Sequence, residues 1–342
     1  MAQVQIKDVA RRAEVSSATV SRVLNSDHGV SDSRRTRVEA AIRELGYRPN
    51  RVARSLRRQY TDTIGVVVSD IENPHFTQAV RVIEDAAFGQ GYRVLLCNTD
   101  ETPAKQSSYL EMLAAERVLG VVLAPADPND PTITHLLDQG IPIVAFDREA
   151  ADPRADAVTA DNLTAGRRAT EHLLELGHTS IGFVAGRPDI QTGIDRLRGY
   201  ELAMDQRGLA VRSVTGMFRM QEAQMATIQL LEDHPDLTSV VVGNNLMTVG
   251  ALHALKIVGK KVPTDVSLVQ IDDPFWAELV EPSLTSLAQP VRLMAQNAVD
   301  LLMQRIARER TVSRHVVFQF ELRERRSTTA INVPQSERSG RS

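Results

Sequence analysis

VQIKDVARRAEVSSATVSRVLNSDHGVSDSRRTRVEAAIRELGYRPNRVARSLRR (residues 4–58) is the stretch that decides how the chain begins to fold. Apolar residues at helical spacing predict a first short helix, namely Ile6, Val9, Ala10 and Ala13. After a corner at residues 14–16, Ser16 is placed as the N-cap of a second helix, predicted over Ser17 to Asn25. A third helix is predicted from Ser31 or Asp32 to Leu45, where Gly46 stops it.

The second helix presents an outward face that suits DNA. Apart from one arginine its outward side chains are small, namely Ser17, Ala18, Thr19 and Ser21. Two short helices at a tight corner can place the second one in the major groove, where small side chains permit close approach to the base edges. Arg22 can then bond the O6 and N7 atoms of a guanine as a fork. The plainer alternative is a three-helix bundle whose basic face is only solvated.

The segment after the third helix carries dense positive charge. Residues 50–58 include Arg51, Arg54, Arg57 and Arg58, and a helix of this length is too short to be stable alone. We hypothesise that the segment folds only on DNA, where phosphates neutralise the arginines and a copy from a second subunit pairs with it. Leu56 would then enter the minor groove as an apolar wedge that kinks the duplex.

This hypothesis predicts that Leu56→Ala reduces DNA bending and specific affinity while ligand binding is unchanged. The reason is that a methyl group is too short to unstack a base step. The bend angle of end-labelled DNA, measured by fluorescence transfer, checks the prediction. An unchanged bend angle would remove the wedge.

Four motifs carry a resemblance to a known family: IKDVARRAEVSSATVSRVLN (6–25), Thr36-Arg37, ELGYRPN (44–50) and ARSLR (53–57). Almost every position from Ile6 to Leu56 resembles the DNA-binding headpiece of the LacI/GalR family of repressors. The resemblance implies a helix-turn-helix headpiece over residues 1–48 and a hinge helix or linker over 49–60. It implies DNA contacts from Ser16, Ser17, Ala18, Thr19, Ser21, Arg22, Asn25, Tyr47, Asn50, Ala53 and Leu56. Glu14 departs from the usual Gly at the corner, which predicts a positive φ and slight strain there.

The charge of the chain is divided unevenly. At 342 residues the chain is long enough for two or three domains, and its net charge is −3. Residues 1–60 contain 13 Lys and Arg against 6 Asp and Glu, whereas the remainder has a net charge of −10. A polyanionic partner is therefore predicted for the first sixty residues only.

Cysteine usage and hydropathy indicate a reducing, aqueous compartment. Cys97 is the only cysteine, which excludes an intrachain disulfide and a cysteine metal cluster and fits the cytoplasm. No apolar run approaches about 18 residues and the N-terminus has no apolar leader segment, so neither a membrane span nor a signal peptide is predicted. The eight histidines are scattered, and no metal or cofactor is expected.

Residues 61–330 alternate short apolar runs with amphipathic stretches, a pattern typical of a parallel α/β sheet. Nine strands are predicted between Thr63 and Phe320, too many for one comfortable open sheet. A break near Asp161 and a long helix from Val291 favour two lobes with a cleft at the strand carboxyl ends. From Ile64 to about Thr328 the chain resembles the family's regulatory core, which is similar to a periplasmic binding protein. The predicted lobes cover about 61–161 with 291–320, and 162–290 with 321–330, followed by a disordered tail over 331–342.

Polar or aromatic residues follow each strand that is expected to reach this cleft. Asp, Asn and Arg bond neighbouring hydroxyls or carboxylates as forks, and aromatic faces pack against C–H surfaces, so the set suits a sugar, sugar acid or sugar phosphate. The candidate ligand contacts are Ser69, Asn73, Phe76, Asp147, Arg148, Thr192, Arg196, Phe218, Asn244, Asp272 and Trp276. Each has a duller alternative, since Asp and Asn often cap helices and Trp276 can be a partly buried core residue.

The pattern favours a transcriptional repressor that binds a palindromic operator as a homodimer and is controlled by a small effector. A sugar-binding protein without regulation is a second reading, which the basic headpiece opposes. A third is a sugar-phosphate enzyme in which Asp147 and Asp272 exchange protons. No Gly-rich phosphate loop, dinucleotide G-x-G-x-x-G, H-E-x-x-H or G-x-S-x-G is present, so the protein is not expected to be an enzyme.

Overall fold

The computed structural model describes residues 4–24, 29–47 and 61–331. The chain forms two compact units that divide between Thr61 and Asp62. Four predicted DNA contacts, the hinge segment and the tail after residue 331 lie outside the described residues; the four contacts are Asn25, Asn50, Ala53 and Leu56.

The described part of the first unit, residues 4–24 and 29–47, contains three helices, α1 (Ile6–Arg12), α2 (Ser17–Leu24) and α3 (Asp32–Leu45). Each helix contributes one fully buried valine to a common core, namely Val9, Val20 and Val38. An ion pair of 2.7 Å between Arg12 and Glu44 ties α1 to α3. The predicted three-helix arrangement is therefore confirmed, and its core consists of valine and alanine side chains, which are small enough to let short helices pack closely.

Local signals set the ends of these helices as predicted. The Ser16 hydroxyl accepts a 3.1 Å hydrogen bond from the Thr19 backbone N–H, which makes Ser16 the N-cap of α2. Gly46 ends α3 in the left-handed region at φ 60°. Glu14 has φ 54°, so the corner adopts the conformation that Gly favours and a side chain is accommodated there with some strain.

The second unit contains two six-stranded sheets. The first has the order β11-β5-β4-β3-β1-β2, and the second has the order β12-β10-β9-β8-β6-β7. Every pairing is parallel except that of β10 with β12, which is antiparallel. The strands are β1 Thr63–Val68, β2 Arg93–Asn98, β3 Val121–Leu123, β4 Ile143–Asp147, β5 Asp156–Ala160, β6 Ile181–Ala185, β7 Ser213–Thr215, β8 Ser239–Val242, β9 Ser267–Ile271, β10 Thr285–Ala288, β11 His315–Phe318 and β12 Glu321–Arg323.

Helices cover both sheets. They are α4 Pro74–Gly89, α5 Pro103–Ala115, α6 Pro131–Asp138, α7 Asn162–Glu175, α8 Gln191–Asp205, α9 Met220–Asp233, α10 Asn245–Ile257 and α11 Val291–Ile306, with a short 3₁₀ helix at Phe275–Glu278. The inner strands are almost entirely buried because helices lie on both faces of each sheet. The edge strands β2, β7, β11 and β12 instead contain both exposed and partly buried residues. The predicted two-lobed α/β core with parallel sheets is confirmed.

The chain passes between the two lobes three times, at β5 to α7, β10 to α11 and β11 to β12. Strand β11 ends at Phe318 in the first sheet and β12 begins at Glu321 in the second. The long helix α11 follows β10 of the second sheet but packs on α4 and on the first sheet. This routing places the carboxyl ends of both sheets against one another, and the candidate site lies there.

Two features of the core differ from the prediction. The sequence pattern predicts a helix over Arg196 to Arg207, whereas α8 begins earlier, at Gln191. Three short strands were not predicted, namely β7, β10 and β12. Strand β10 contains Thr285 and Ser286, both fully buried, and therefore has no apolar run that would reveal it. Among the described residues no helix has both the length and the apolar character needed to cross a membrane.

Candidate functional site

Helix α2 shows the outward face that the sequence predicted. Ser17, Ala18 and Arg22 are exposed, while Val20 and Val23 are buried against the other helices. Thr19 and Ser21 are half-buried at the margin of this face. The exposed side chains of α2 are thus small except for Arg22, so the helix can approach the base edges closely and Arg22 can reach them.

Tyr47 lies at a different place from the other predicted DNA contacts. Its ring is half-buried and packs on the core of the first unit, and its backbone N–H donates to Ile42 O at 3.0 Å. Contact between Tyr47 and DNA stays a prediction.

In the second unit, a cleft opens between the lobes at the strand carboxyl ends. Its lining comprises Asp70, Asn73, His75, Phe76, Glu101, Asp147, Arg148, Thr192, Arg196, Phe218, Arg219, Asn244, Asp272 and Gln289. Nine of the eleven predicted ligand contacts are among them. Strands β1, β2 and β4 supply one wall and strands β8 and β9 supply part of the other, because parallel strands of both sheets end at this edge.

Arg148 is held in the first lobe by a bidentate ion pair. Its two terminal nitrogens donate to the Glu101 carboxylate at 2.7 and 2.5 Å, and one of them also donates to Pro125 O at 3.0 Å. Burial lowers the pKa of Arg148, but Glu101 and Asp147 outweigh burial and the pKa is raised above its usual value. The guanidinium is therefore permanently charged and already neutralised by the protein.

Arg196 is the corresponding cation of the second lobe. Its Nε donates to Asn162 Oδ1 at 2.8 Å and its Nη1 donates to Gly243 O at 2.6 Å. Nη2 lies 3.8 Å from Asp272 Oδ1, and the guanidinium stands 5.8 Å from the centre of the Phe320 ring. Because Thr192 is four residues earlier in the same helix, both side chains face the cleft.

Asp147 and Asp272 occupy matching places in the two lobes. Asp147 ends strand β4 and Asp272 follows strand β9, and both have left-handed backbones, at φ 68° and 75°. This conformation is unfavourable for a residue with a Cβ, which marks both positions as determined by their surroundings. The Asp272 carboxylate also accepts a 2.7 Å hydrogen bond from Gln289 Nε2.

Two asparagines both cap helices and line the cleft. Asn73 accepts from the His75 backbone N–H at 2.9 Å, and Asn244 accepts from the Met247 N–H at 2.8 Å. Both asparagines are therefore helix caps, as the alternative explanation had it, and both also line the cleft. A carbonyl oxygen engaged in a cap leaves its amide NH₂ as a donor.

Phe76 and Phe218 supply aromatic surface, one from each lobe. Phe76 is buried at the start of α4, and Phe218 follows β7 at φ 59°. A Cβ placed on Gly186 would lie 2.2 Å from two atoms of the Phe218 ring. Gly186 is therefore needed for the Phe218 ring to reach its position.

We expect Gly186→Ala to displace Phe218 and to weaken ligand binding. Overpacking of this kind costs about 1–3 kcal/mol, which corresponds to a loss of affinity of about 5- to 150-fold. Titration calorimetry with the effector measures the change. Gly89→Ala is the control, because a Cβ on Gly89 meets no atom within 4 Å. Equal affinities of the two variants would contradict the role of Gly186.

Arg219 forms a clasp across the mouth of the cleft. From the second lobe its Nη1 donates to Asp70 Oδ2 at 3.1 Å, and its Nη2 bonds Asp100 Oδ1, both in the first lobe. Beside the clasp, Asn245 Nδ2 donates to Asn73 Oδ1 at 3.1 Å across the same gap. Burial raises the pKa of Asp70, whereas the Arg219 hydrogen bond lowers that of Asp100. The lobes are thus linked by polar contacts that need no ligand.

Asp147 is ionised despite its burial. Burial raises its pKa, but the contact with His75 and the charges of Arg148 and Arg196 outweigh burial and lower the pKa to about 2. An unfolded Asp titrates near 3.9, so the native state binds the proton more weakly than the unfolded state does.

This pKa predicts how Asp147 affects stability. The ionised carboxylate adds on the order of 2 kcal/mol to the free energy of unfolding. This stabilisation is complete above about pH 4 and is lost as the pH falls through about 2. Urea unfolding of the ligand-free protein between pH 2 and 6 should therefore show a weaker acid dependence for Asp147→Asn. Asp195→Asn is the matched control. Because burial raises the pKa of Asp195, its removal should change the acid dependence of stability in the opposite direction. Identical pH profiles for Asp147→Asn and the unchanged protein would be inconsistent with the lowered pKa.

Two predicted ligand contacts do not line the cleft. The Ser69 side chain is fully buried behind the strand end, and its neighbour Asp70 faces the cleft instead. Trp276 is half-buried in the 3₁₀ helix and packs on the second lobe's core beside Ala277.

Five lining residues were not among the predicted contacts, namely Asp70, His75, Glu101, Arg219 and Gln289. Asp70 and His75 belong to the polar loop after β1, and Glu101 belongs to the loop after β2. Polar residues after a strand are the signal that predicted the other contacts. Arg219 and Gln289 carry no such signal: Arg219 lies in an irregular loop, and Gln289 follows β10, a strand that the sequence did not predict. Over the described ranges, no group of three or more His, Cys, Asp or Glu side chains is arranged to hold a metal ion.

The sequence matches two family descriptions that together span most of the chain. Residues 5–50 match "Bacterial regulatory proteins, lacI family", and residues 61–326 match "Periplasmic binding proteins and sugar binding domain of LacI family". The chain is 36% identical to the ribose operon repressor of Halalkalibacterium halodurans, over 89% of this chain and 91% of that protein. It is 35% identical to the transcriptional repressor PurR of Proteus mirabilis, over 94% and 96%.

Solved structures agree with these relatives. A Lac repressor dimer bound to operator and an anti-inducer superposes with a TM-score of 0.85 at 28% identity, covering 96% of this chain and all of that one. The regulator CelR in complex with cellobiose gives a TM-score of 0.72 at 33% identity, over 95% and 100%. The chain belongs to the LacI family of bacterial regulatory proteins.

Proposed function

We propose that a neutral monosaccharide is the effector of this LacI-family transcriptional repressor. The protein binds operator DNA through its headpiece and a sugar effector through its two-lobed core. Which effector is bound, and by which residues, is the part that we infer from the cleft.

The observation that carries the proposal is that every arginine of the cleft is already paired. Arg148 is paired with Glu101, Arg196 lies against Asp272, and Arg219 is bonded to Asp70 and Asp100. The lining contains four carboxylates and three arginines, so no positive charge is left over for an anion. A phosphate or sugar acid would have to break one of these pairs, and leaving a buried carboxylate unpaired costs several kcal/mol.

Neutral hydroxyls, in contrast, fit the groups that remain. Carboxylates accept from hydroxyls, guanidinium and amide groups donate to them, and each paired group keeps unused donors or acceptors. Phe76 and Phe218 add apolar surface for the C–H faces of a sugar ring. The relatives are consistent with a sugar ligand, since one is named a ribose operon repressor and a LacI-family regulator from Enterococcus faecium has been solved with ribose bound.

The same pairing opposes the enzyme alternative. Asp147 has a pKa of about 2 and therefore cannot serve as a general acid at neutral pH. Asp272 is engaged by Gln289 and faces Arg196. We propose that the cleft binds its sugar without turnover.

Regulation follows from the two-lobed design. The effector shifts operator affinity only by its differential binding to the two lobe arrangements. A homodimer would present two copies of α2 to the halves of a palindromic site. The Lac repressor to which this chain is similar binds its operator as a dimer.

The test measures operator affinity at fixed salt, on DNA selected from random sequence, with and without candidate effectors. We expect D-ribose or another neutral monosaccharide to change the affinity for a palindromic site, whereas D-ribose 5-phosphate and D-gluconate have no effect. The direction of the change distinguishes induction from co-repression. A response to the phosphate or the acid alone would overturn the neutral-sugar proposal.

A further inference from the structure

Phe320 lies in the third passage between the lobes, β11 to β12, and is not part of the cleft lining. Strand β11 ends at Phe318 and β12 begins at Glu321, so Gln319 and Phe320 alone join the two sheets there. When one lobe rotates against the other, connections of this kind absorb the movement in their backbone dihedral angles. The position of Phe320 therefore depends on the arrangement of the lobes.

Two helices of the second lobe hold Phe320, one at its backbone and one at its ring. Its carbonyl oxygen accepts a 2.9 Å hydrogen bond from Arg168 Nη1 of α7. Its ring centre lies 5.8 Å from the guanidinium carbon of Arg196 of α8, which is within the range of a cation–π contact. Phe320 is thus attached to the second lobe, whereas Phe318, two residues earlier, belongs to the first sheet.

The other two passages meet the same arginine. Asn162, which follows the first passage, accepts from Arg196 Nε at 2.8 Å. In the second passage, Gln289 Nε2 donates to Asp272 Oδ1 at 2.7 Å, and that oxygen lies 3.8 Å from Arg196 Nη2. Arg196 therefore contacts two passages directly and the remaining one through Asp272. A ligand that bonds this guanidinium acts on a group to which all three connections are linked.

The aromatic character of Phe320 is what packing alone does not explain. The ring belongs to the main hydrophobic core, where an aliphatic side chain of similar size would also fill the space. An aliphatic side chain, however, does not attract a guanidinium. The side chains of Arg196 and Phe320 are only 5% and 4% exposed, and a cation–π contact is stronger where both groups are removed from water.

We propose that Phe320 is a positioning residue that carries the effect of sugar binding at Arg196 to the third passage between the lobes. This inference rests on the proposed neutral-sugar function. Because the position of Phe320 depends on the arrangement of the lobes, its contact with Arg196 differs in strength between the two arrangements. A sugar that bonds Arg196 then binds the two arrangements with different affinities, and this difference is what shifts operator affinity.

The experiment measures the factor by which saturating sugar changes the operator affinity of the full-length protein. The probe is D-ribose, D-xylose, D-glucose or D-galactose, whichever the unchanged protein binds most tightly in titration calorimetry. We expect Phe320→Leu to bring the factor toward one, by about 2- to 30-fold, which is the range for single residues that connect two sites. Operator affinity without sugar is measured for every variant as a check that it folds.

Phe183→Leu is the matched control for lost packing. Phe183 is fully buried in the same core, and its ring stacks on Tyr200 with centroids 5.1 Å apart. The control should lower the stability of the protein and leave the sugar factor unchanged, because Phe183 lies within β6 and not in a passage between the lobes.

A second series keeps the shape of the ring and changes only its electrons. Mono-, di- and trifluorinated phenylalanine at position 320 progressively weaken a cation–π contact, since fluorine withdraws electron density from the ring face. The sugar factor should fall stepwise with the number of fluorine atoms, a dependence that a purely structural ring would not show.

The outcomes separate this inference from the proposed function. If none of the four sugars changes the operator affinity of the unchanged protein, the proposed function fails and this inference with it. If one of them does, but Phe320→Leu behaves like Phe183→Leu or fluorination leaves the factor unchanged, only the role of Phe320 is overturned.

Discussion

Arg22→Ala is expected to abolish the preference of the protein for its operator over scrambled DNA. Arg22 is the one long exposed side chain on the outward face of α2, where the other side chains are small. A fork from arginine to guanine discriminates against a wrong base by about 1–3 kcal/mol. In a dimer the loss occurs in both half-sites, so specific affinity should fall by about 2–6 kcal/mol, or about 30-fold at least.

Competition binding at fixed salt measures this loss, with selected and scrambled duplexes of equal length. The matched control is Arg43→Ala, which removes the same charge from the exposed side of α3. That variant should weaken binding to both duplexes alike, because a lost phosphate contact carries no sequence information. If Arg22→Ala retains the preference for the operator, Arg22 is not the base-reading residue.

Arg196→Met is expected to eliminate effector binding and to destabilise the core. Removal of the guanidinium leaves Asn162 Oδ1 and Gly243 O without their donor and leaves Asp272 facing no cation. Breaking a buried pair by removing one partner costs about 3–5 kcal/mol. We expect a similar loss of unfolding free energy, and an effector affinity reduced by at least about 100-fold.

Chemical unfolding and titration calorimetry measure the two effects separately. Arg198→Met is the control on the same helix, because Arg198 is exposed and lies 3.7 Å from Glu201 in a surface pair of small value. Arg196→Lys should restore the charge but not both hydrogen bonds, so stability should recover further than affinity. Normal effector affinity in Arg196→Met would exclude Arg196 from the site.

Local chemistry made the first unit predictable. The Ser16 cap, the Gly46 stop and the positive φ of Glu14 depend on neighbours within a few residues, so the sequence contains their cause. The start of α8 has no such cause. Ile190 offers no side-chain cap, and Thr192 and Gly193 are weak helix formers, so we attribute the start of the helix to packing against α7.

The cleft was predictable as far as strand ends determine it. Asp147, Asn244 and Asp272 follow their strands directly and lie where the sheet edge places them. Arg219 depends on closure between two lobes, which no local pattern records. The place of Trp276 also depends on packing: the sequence shows that an aromatic residue follows β9, but it does not show that the ring packs on the core of the second lobe. Contact between Trp276 and a ligand stays a prediction.

The Arg219 clasp affects the equilibrium between the two lobe arrangements. Because Arg219 is one-third exposed, its bonds to Asp70 and Asp100 are worth about 1 kcal/mol or less, a bias of about fivefold at most. A bias of that size shifts the balance between the lobe arrangements by a small factor and does not by itself hold the lobes in one of them. The clasp therefore contributes to the threshold of the response: its strength helps to set the sugar concentration at which half of the repressors respond. A change in these two partly exposed ion pairs would shift the sensitivity of the repressor to its sugar in small steps.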